Sequence, residues 1–293
     1  MLGALCHWLV FRVGGLTIHP ATRQKDVFTR PASPCREAPL DEPLFFSGRH
    51  QSHGIRYTGI VDFLICDDGA RVEAHPVPGA SREAVTYLYR NQVVPLQGSL
   101  CGEIVLHGSA VSSSAGALLF LAPSGFGKST LVAYLSLQGY PLLADDAVRL
   151  QREEGCTTLQ PGSPSVRLWG DSLQALDLAG GHCTQPGAEY TDKYCVEARN
   201  GTQACQHAQP LGGIFLLGEL CVEKPQLEAA SGSDTLVQLV QQCFALPAMS
   251  VKRKSRSLIK LAELLDGVPV WHLDYPHSYE ALPAIAALLP SAP

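Results

Sequence analysis

The sequence predicts an α/β protein, with one large domain preceded by a small α+β lobe. Three observations carry that expectation. The apolar stretch "GALLFLA" runs directly into "PSGFGKST" and on into "LVAYLSLQG", which is the order of strand, glycine turn and helix. Strand-like and helix-like stretches then alternate towards the C terminus. A chain of 293 residues, 46% of them hydrophobic, is long enough to bury a sizeable core.

Taken in order, residues 1–53 read as a poorly structured lead. The start, "MLGALCHWLVFRVGG", is apolar over too short a run to span a bilayer, which takes about 20 residues, and has no basic n-region or cleavage site. Residues 20–53 are rich in Pro, Arg, Ser and His and show no periodicity. Residues 54–98 read as the small lobe. "IRYTGIVDFLICDDGARVEAHPV" alternates around a "DDG" turn like a β-hairpin, and "SREAVTYLYRNQVVPLQGSL" is a helix with Ser81 as N-cap.

Residues 99–293 form the large domain. "GEIVLHGSAV" and "GALLFLA" are strands around a hairpin turn, "SSSAG". A helix follows from about 128 to 138, stopped by Gly139. The returning strand, "PLLADDAVRLQ", is expected to run parallel beside "GALLFLA". "PSVRLWGDSLQALDL" leads into a short helix, and 177–209 is a polar surface insertion. "LGGIFLL" is a buried strand, "SDTLVQLVQQCFAL" and "SRSLIKLAELLDG" are helices, "VPVWHLDY" is a strand, and "SYEALPAIAALL" is a last helix with Pro283 in its first turn.

Composition excludes several classes. A net charge of −5 offers no basic field for nucleic acid, and no stretch spans a membrane. The ten cysteines make no C-x-x-C pair and have no zinc-ligand spacing, and the ten histidines show no H-x-x-x-H pair. Reduced thiols in a cytoplasmic protein are the expectation. A homo-oligomer is left open.

The chemistry concentrates in three stretches. "APSGFGKST" fits [AG]-x-x-x-x-G-K-[ST], with Ala122 in the first place. Gly125 and Gly127 let the backbone turn its N–H groups inward, so Ser124, Gly125, Phe126, Gly127, Lys128, Ser129 and Thr130 are the candidate nucleotide-phosphate cradle. In that pattern Lys128 reaches the β- and γ-phosphates and Ser129 ligates Mg²⁺. Seventeen and eighteen residues after Lys128 stand Asp145 and Asp146, able to divide metal binding from proton acceptance. Without the loop nearby, such a pair equally suits a solvated strand exit. His107 belongs to the end of its hairpin where the glycine loop begins, placed to orient or tune a catalytic Asp, although a lone His on an apolar strand is usually a core side chain. Arg167, near Trp169, fits a phosphate or acceptor contact as well as a structural role, and the basic run "VKRKSRS" reads as a solvated helix entrance.

Together "HGSA", "SGFGKS", "SLQGY" and "LLADDAV" resemble the HPr serine kinase/phosphorylase catalytic domain and its kinase-like relatives, strongly at 104–150 and diffusely over 55–290. The resemblance implies a P-loop kinase core of the HPr kinase and phosphoenolpyruvate carboxykinase type. It implies ATP and Mg²⁺ as cofactors and a serine hydroxyl on a peptide or protein as acceptor. It makes Lys128 and Ser129 the phosphate and Mg²⁺ residues, Asp145 the metal ligand, Asp146 the general base and His107 its partner. Where bifunctional members carry Glu-x-Arg-Gly this chain reads "SVRLWGDS", which argues against phosphorolysis and against HPr as acceptor. The alternatives are a kinase of a small-molecule alcohol and a nucleotide-binding regulator without phosphotransfer.

Overall fold

A computed structural model describes residues 11–13, 16–21, 43–47, 52–66, 69–153, 155–178, 183–185, 191–198, 203–218, 222–245 and 251–293. The chain divides into two compact units: Met1–Gly102 with Pro186–Thr191 and Ala245–Val251, and Glu103–Gln185 with Asp192–Phe244 and Lys252–Pro293. Among the described residues no helix is long and apolar enough to cross a membrane.

The first unit holds β1 (Phe11–Val13), β2 (Leu16–Ile18), β3 (Leu44–Ser47), β4 (His53–Tyr57), β5 (Val61–Cys66) and β6 (Arg71–Pro76) in one sheet, ordered β1-β2-β6-β5-β4-β3. The alternation expected around "DDG" is the β5–β6 antiparallel pair. Its inward set, Val61, Phe63, Ile65, Val72 and Ala74, is buried, while Arg71, Glu73 and His75 take the other side. Here the structure departs from the expected lead. β1, β2 and β3 lie within residues 1–53, and β2 pairs in parallel with β6, Leu16 opposite Val72. A partner so distant in sequence leaves no local pattern. Residues 1–10, 14–15, 22–42 and 48–51 of that lead fall outside the described residues.

The predicted helix over 81–100 is α1 (Arg82–Leu88) and α2 (Val94–Leu100), joined by a π turn at Tyr89–Val93. Ser81 does cap it, its Oγ accepting from the Ala84 N–H at 3.0 Å. The register opens because Pro95 has no N–H to give, and the Val94 N–H reaches back to Tyr89 O.

The second unit begins with β7 (Ile104–Leu106), β8 (Gly108–Ser113) and β9 (Gly116–Leu121), then α3 (Lys128–Leu137), β10 (Leu142–Ala144), β11 (Val148–Glu153), β12 (Cys156–Gln160), β13 (Ser165–Leu168) and α4 (Gly170–Ala175). β14 (Cys183–Thr184), β15 (Tyr194–Glu197), β16 (Gln209–Leu217), β17 (Gln226–Ala229), α5 (Ser233–Gln241), α6 (Val251–Leu265), β18 (Val270–Asp274) and α7 (Leu282–Ala286) complete it. β9, β16 and β18 run parallel and adjacent. On one face Leu118 and Phe120 pack with Leu131 and Leu135 of α3 and Ile285 of α7. On the other, Leu119, Leu121 and Ile214 pack with Leu239 of α5 and Leu261 and Leu264 of α6. The architecture is mixed α/β.

Two corrections concern the strands that carry the candidate acids and histidine. The returning strand does not lie beside β9: β10 pairs antiparallel with β8, which stands between them. Nor are "IVLHGSAV" and "PLLADDAVRLQ" single strands. The first breaks at His107, into β7 and β8; the second breaks at Asp145 and Asp146, into β10 and β11. β7 pairs with β11, Leu106 opposite Val148, and β8 pairs with β10, Ala110 opposite Ala144. The two segments thus form one interrupted ladder, with both interruptions at the same level. The expected surface insertion, where described, also contributes β14 and β15: β15 pairs with both β13 and β14 and buries Val196.

Candidate active site

The glycine loop lies at the C-terminal end of β9. Gly125 and Gly127 both take left-handed backbone, with φ of 89° and 80°. Gly127 is the N-cap of α3, and its carbonyl accepts the Leu131 N–H at 2.8 Å. From behind, the Tyr275 hydroxyl, just past β18, donates to Phe126 O at 2.8 Å. Burial raises the Tyr275 pKa, which keeps that proton in place.

Lys128 is buried at the start of α3, and its ammonium donates to Ala122 O at 2.7 Å and Pro123 O at 2.9 Å. Burial lowers its pKa to about 8, with Asp145 pulling the other way. Ser129 Oγ donates to Asp145 Oδ1 at 2.8 Å. The same oxygen accepts from Ser109 Oγ at 2.6 Å, and Asp145 Oδ2 accepts from the Arg167 N–H at 2.8 Å. The carboxylate is therefore fixed in orientation by three donors from three elements.

Asp146 owes its direction to its backbone. With φ at 67° it is one of two non-glycine residues with positive φ among those described. On a continuous strand two successive side chains would point to opposite faces. The left-handed turn instead lets both acids reach the same end of the sheet. The Asp146 carboxylate is buried and ion-paired with Arg167 through Nη2.

His107 holds this turn from the other segment. Its Nδ1 lies 3.1 Å from Asp146 O, which also accepts the Gly108 N–H at 3.3 Å. A carbonyl can only accept, so Nδ1 carries the proton and Nε2 is left as an acceptor. Burial, and then the Lys128 charge, lower the His107 pKa to about 4. The histidine thus meets the main chain of Asp146 as a neutral ring, where the sequence suggested a charged neighbour of the carboxylate.

His107, Ser124, Gly125, Gly127, Lys128, Ser129, Thr130 and Asp146 line one cleft of about 360 Å³, with Arg167. Two expected members stand apart from its wall. Phe126 packs against the core, and Asp145 sits behind Ser129. The basic run over 252–256 lies in α6, away from the lining.

Sequence reasoning missed Ser109, fully buried beneath Asp145, and Lys193, whose Nζ stands 5.5 Å over the Trp169 ring. It also missed Tyr275 and the chain from Thr130 Oγ1 through Ser172 Oγ (3.0 Å) to the Tyr279 hydroxyl (3.3 Å). Ser109 could have been found by sliding "HGSAV" antiparallel to "LADDA", which sets Ser109 opposite Asp145. Lys193 and Tyr275 carry no local signal.

Fold and site define a mixed α/β protein in which a lysine, a pair of carboxylates and an imidazole meet around a glycine loop. No family model matches the chain. It has weak sequence similarity to the HPr kinase/phosphorylase of Caldanaerobacter subterraneus subsp. tengcongensis, 34% identical over 86 residues, which is 29% of this chain. The match spans 28% of that protein's length. The structure of the Hpr(Ser) kinase/phosphatase from Coxiella burnetii aligns with a TM-score of 0.30 at 12% identity, covering 63% of this chain and 93% of that one.

Proposed function

We propose that the protein is an ATP- and Mg²⁺-dependent kinase that transfers the γ-phosphate to a serine hydroxyl of a peptide or protein. Residues 99–293 would form a P-loop catalytic domain of the HPr kinase and phosphoenolpyruvate carboxykinase type, working in the cytoplasm. One observation carries the reading: the Ser129 hydroxyl touches the Asp145 carboxylate at 2.8 Å beside a glycine loop with a lysine at its helix entrance. A hydroxyl and a carboxylate on a phosphate-binding loop form the oxygen donor set that Mg²⁺ prefers.

The residues present fit the group. A Cβ on Gly125 would meet nothing within 4 Å, so the loop is open on that side. Ser129 and Asp145 would hold Mg²⁺, whose charge, when bound, offsets the negative charge of the phosphates. Lys128 would exchange the two carbonyls of its own loop for phosphate oxygens. Asp146 would accept the proton of the acceptor hydroxyl, with Arg167 fixing its carboxylate and His107 fixing its backbone. Ser124, Phe126, Gly127 and Thr130 complete the loop around the phosphates.

Incubating the protein with γ-labelled ATP and serine-bearing peptides tests this. Label transfer that Lys128→Ala abolishes, in a protein with an unchanged circular dichroism spectrum, is the expected outcome. Full transfer by that variant would refute the assignment. Nucleotide binding without transfer to any hydroxyl would make the protein a regulator. A cleft of about 360 Å³ is near the lower end for ligand pockets and favours a second reading, a small-molecule alcohol as acceptor. Labelling of free serine but not of peptides would select it.

A further inference from the structure

A second cluster of ligating side chains occupies the first unit. Glu73 and His75 are two apart on β6 and share one face of the sheet. His19 follows β2, and its N–H donates to Ala74 O at 2.8 Å, continuing the parallel register that sets Thr17 opposite Glu73. His19 thereby comes level with His75, and the two imidazoles stack with centroids 4.4 Å apart and planes 2° from parallel. Glu73 Oε2 lies 3.4 Å from His19 Nε2 and 3.6 Å from His75 Nε2. One ligand atom from each of the three residues lies within 4.8 Å of the others.

A carboxylate between two imidazolium ions would be the plainest account, and two facts oppose it. Two imidazolium ions stacked face to face at that distance would repel one another. In addition, His19 Nε2 is shut off from solvent and, among the described residues, has no hydrogen-bond partner, although Glu73 Oε2 stands 3.4 Å away. Leaving such an atom unpaired costs about 1–3 kcal/mol, which a ligand on it would recover.

We propose that His19, Glu73 and His75 form a binding site for a zinc-class transition-metal ion. Two imidazole nitrogens and one carboxylate oxygen are the protein ligands of open, three-ligand zinc sites, whereas Mg²⁺ and Ca²⁺ take oxygen. Tetrahedral ligation needs donor atoms about 3.3 Å apart. Glu73 Oε2 already stands near that distance from both rings, so side-chain rotation alone completes the site. Arg71 Nε, 3.5 Å from Glu73 Oε1, engages the other oxygen and would steady the ligand. Asp62 stands opposite His75 on β5, but its two oxygens each accept from Arg56 at 2.8 Å, so it supplies no fourth ligand. The bound ion would tie β2 to β6, two strands far apart in sequence, and stabilise the folded state by mass action.

Calorimetric titration of the chelator-stripped full chain with Zn²⁺, in saturating Mg²⁺ to occupy oxygen-ligated sites, tests the site. One equivalent should bind, with affinity weakened about a hundredfold or more in His19→Ala, Glu73→Gln and His75→Ala. Zn²⁺ should raise the Tm of the wild type and not that of the variants. Co²⁺ should give visible bands without a thiolate charge-transfer band, which separates this site from the free cysteines. Should an alanine variant fail to fold, Glu73→Gln, which keeps its shape, decides. Equal Zn²⁺ affinity in wild type and Glu73→Gln, or a cobalt spectrum dominated by thiolate, would overturn the proposal.

Discussion

The two polar clusters of this protein are built by opposite means. In the second unit the cleft forms where regular structure stops. β7 gives way to β8 at His107, β10 ends just before Asp145, and Asp146 takes a left-handed turn. In the first unit His19, Glu73 and His75 share one face of regularly paired strands. Interrupted strands bring neighbouring residues such as Asp145 and Asp146 to one place. Intact strands bring together only residues two apart, or residues on paired strands. The first device makes a recess with opposed charges, and the second a flat row of donors.

The sharpest way to break that contrast is to remove chemistry from the turn while keeping its shape. Asn tolerates the left-handed region nearly as well as Asp. Asp146→Asn should therefore lower phosphotransfer by about 10²–10⁴-fold with little change in nucleotide affinity. Steady-state kinetics and calorimetry check this, and a variant retaining wild-type kcat would remove Asp146 as the base.

His107 gives the next largest effect, and it depends on pH. Its folded pKa, about 4, lies below the ordinary value of about 6.5, so the unfolded chain binds more protons between those limits. The stability it contributes is complete above about pH 6.5 and declines as pH falls towards 4, by about 3 kcal/mol at most. Urea unfolding from pH 7 to 4.5 should show this decline in the wild type and a shallower one in His107→Gln. Parallel curves would place the ring outside the buried site.

The close approach of β8 to β9 can be tested at Gly108. A Cβ there would stand 2.6 Å from Leu121 Cδ2 and 2.9 Å from Phe120 O. Gly108→Ala should cost about 2 kcal/mol through overpacking, read as a lower urea midpoint at unchanged m-value. The same substitution at Gly59, where a Cβ meets nothing within 4 Å, removes the packing clash and leaves only the strain of its left-handed backbone. The smallest expected effect concerns Lys128. With its pKa at about 8, phosphate binding above that pH must draw in a proton. Nucleotide affinity should then fall by up to about tenfold per pH unit. Calorimetry at pH 8.5 in two buffers of different ionisation enthalpy should detect the uptake, and Lys128→Arg, charged throughout, should abolish it.

Much of the cleft was legible in the chain because its signals are local. Gly125, Gly127, Lys128 and Ser129 lie within five residues, between an apolar run and a helix, and their spacing alone specifies a turn that aims N–H groups inward. Ser81 as a cap and the β5–β6 hairpin were equally local. The strand breaks at His107 and Asp146 were not. Nothing in "IVLHGSAV" or "LLADDAV" shows that each must break midway, where the β7–β11 ladder gives way to the β8–β10 ladder. The "E-A-H" at 73–75 was readable as two donors on one face of a strand, but its third member, His19, arrives by a pairing that no period announces.

By itself, then, the chain determined the composition of its elements and the chemistry of the glycine loop, because dihedral preference and hydrophobic period act over a few residues. Only the tertiary structure decided that Ser109 and Arg167 orient Asp145, that His107 grips the backbone of Asp146, and that His19 meets His75. These depend on strand register, which is set by burying apolar faces against segments far away in sequence.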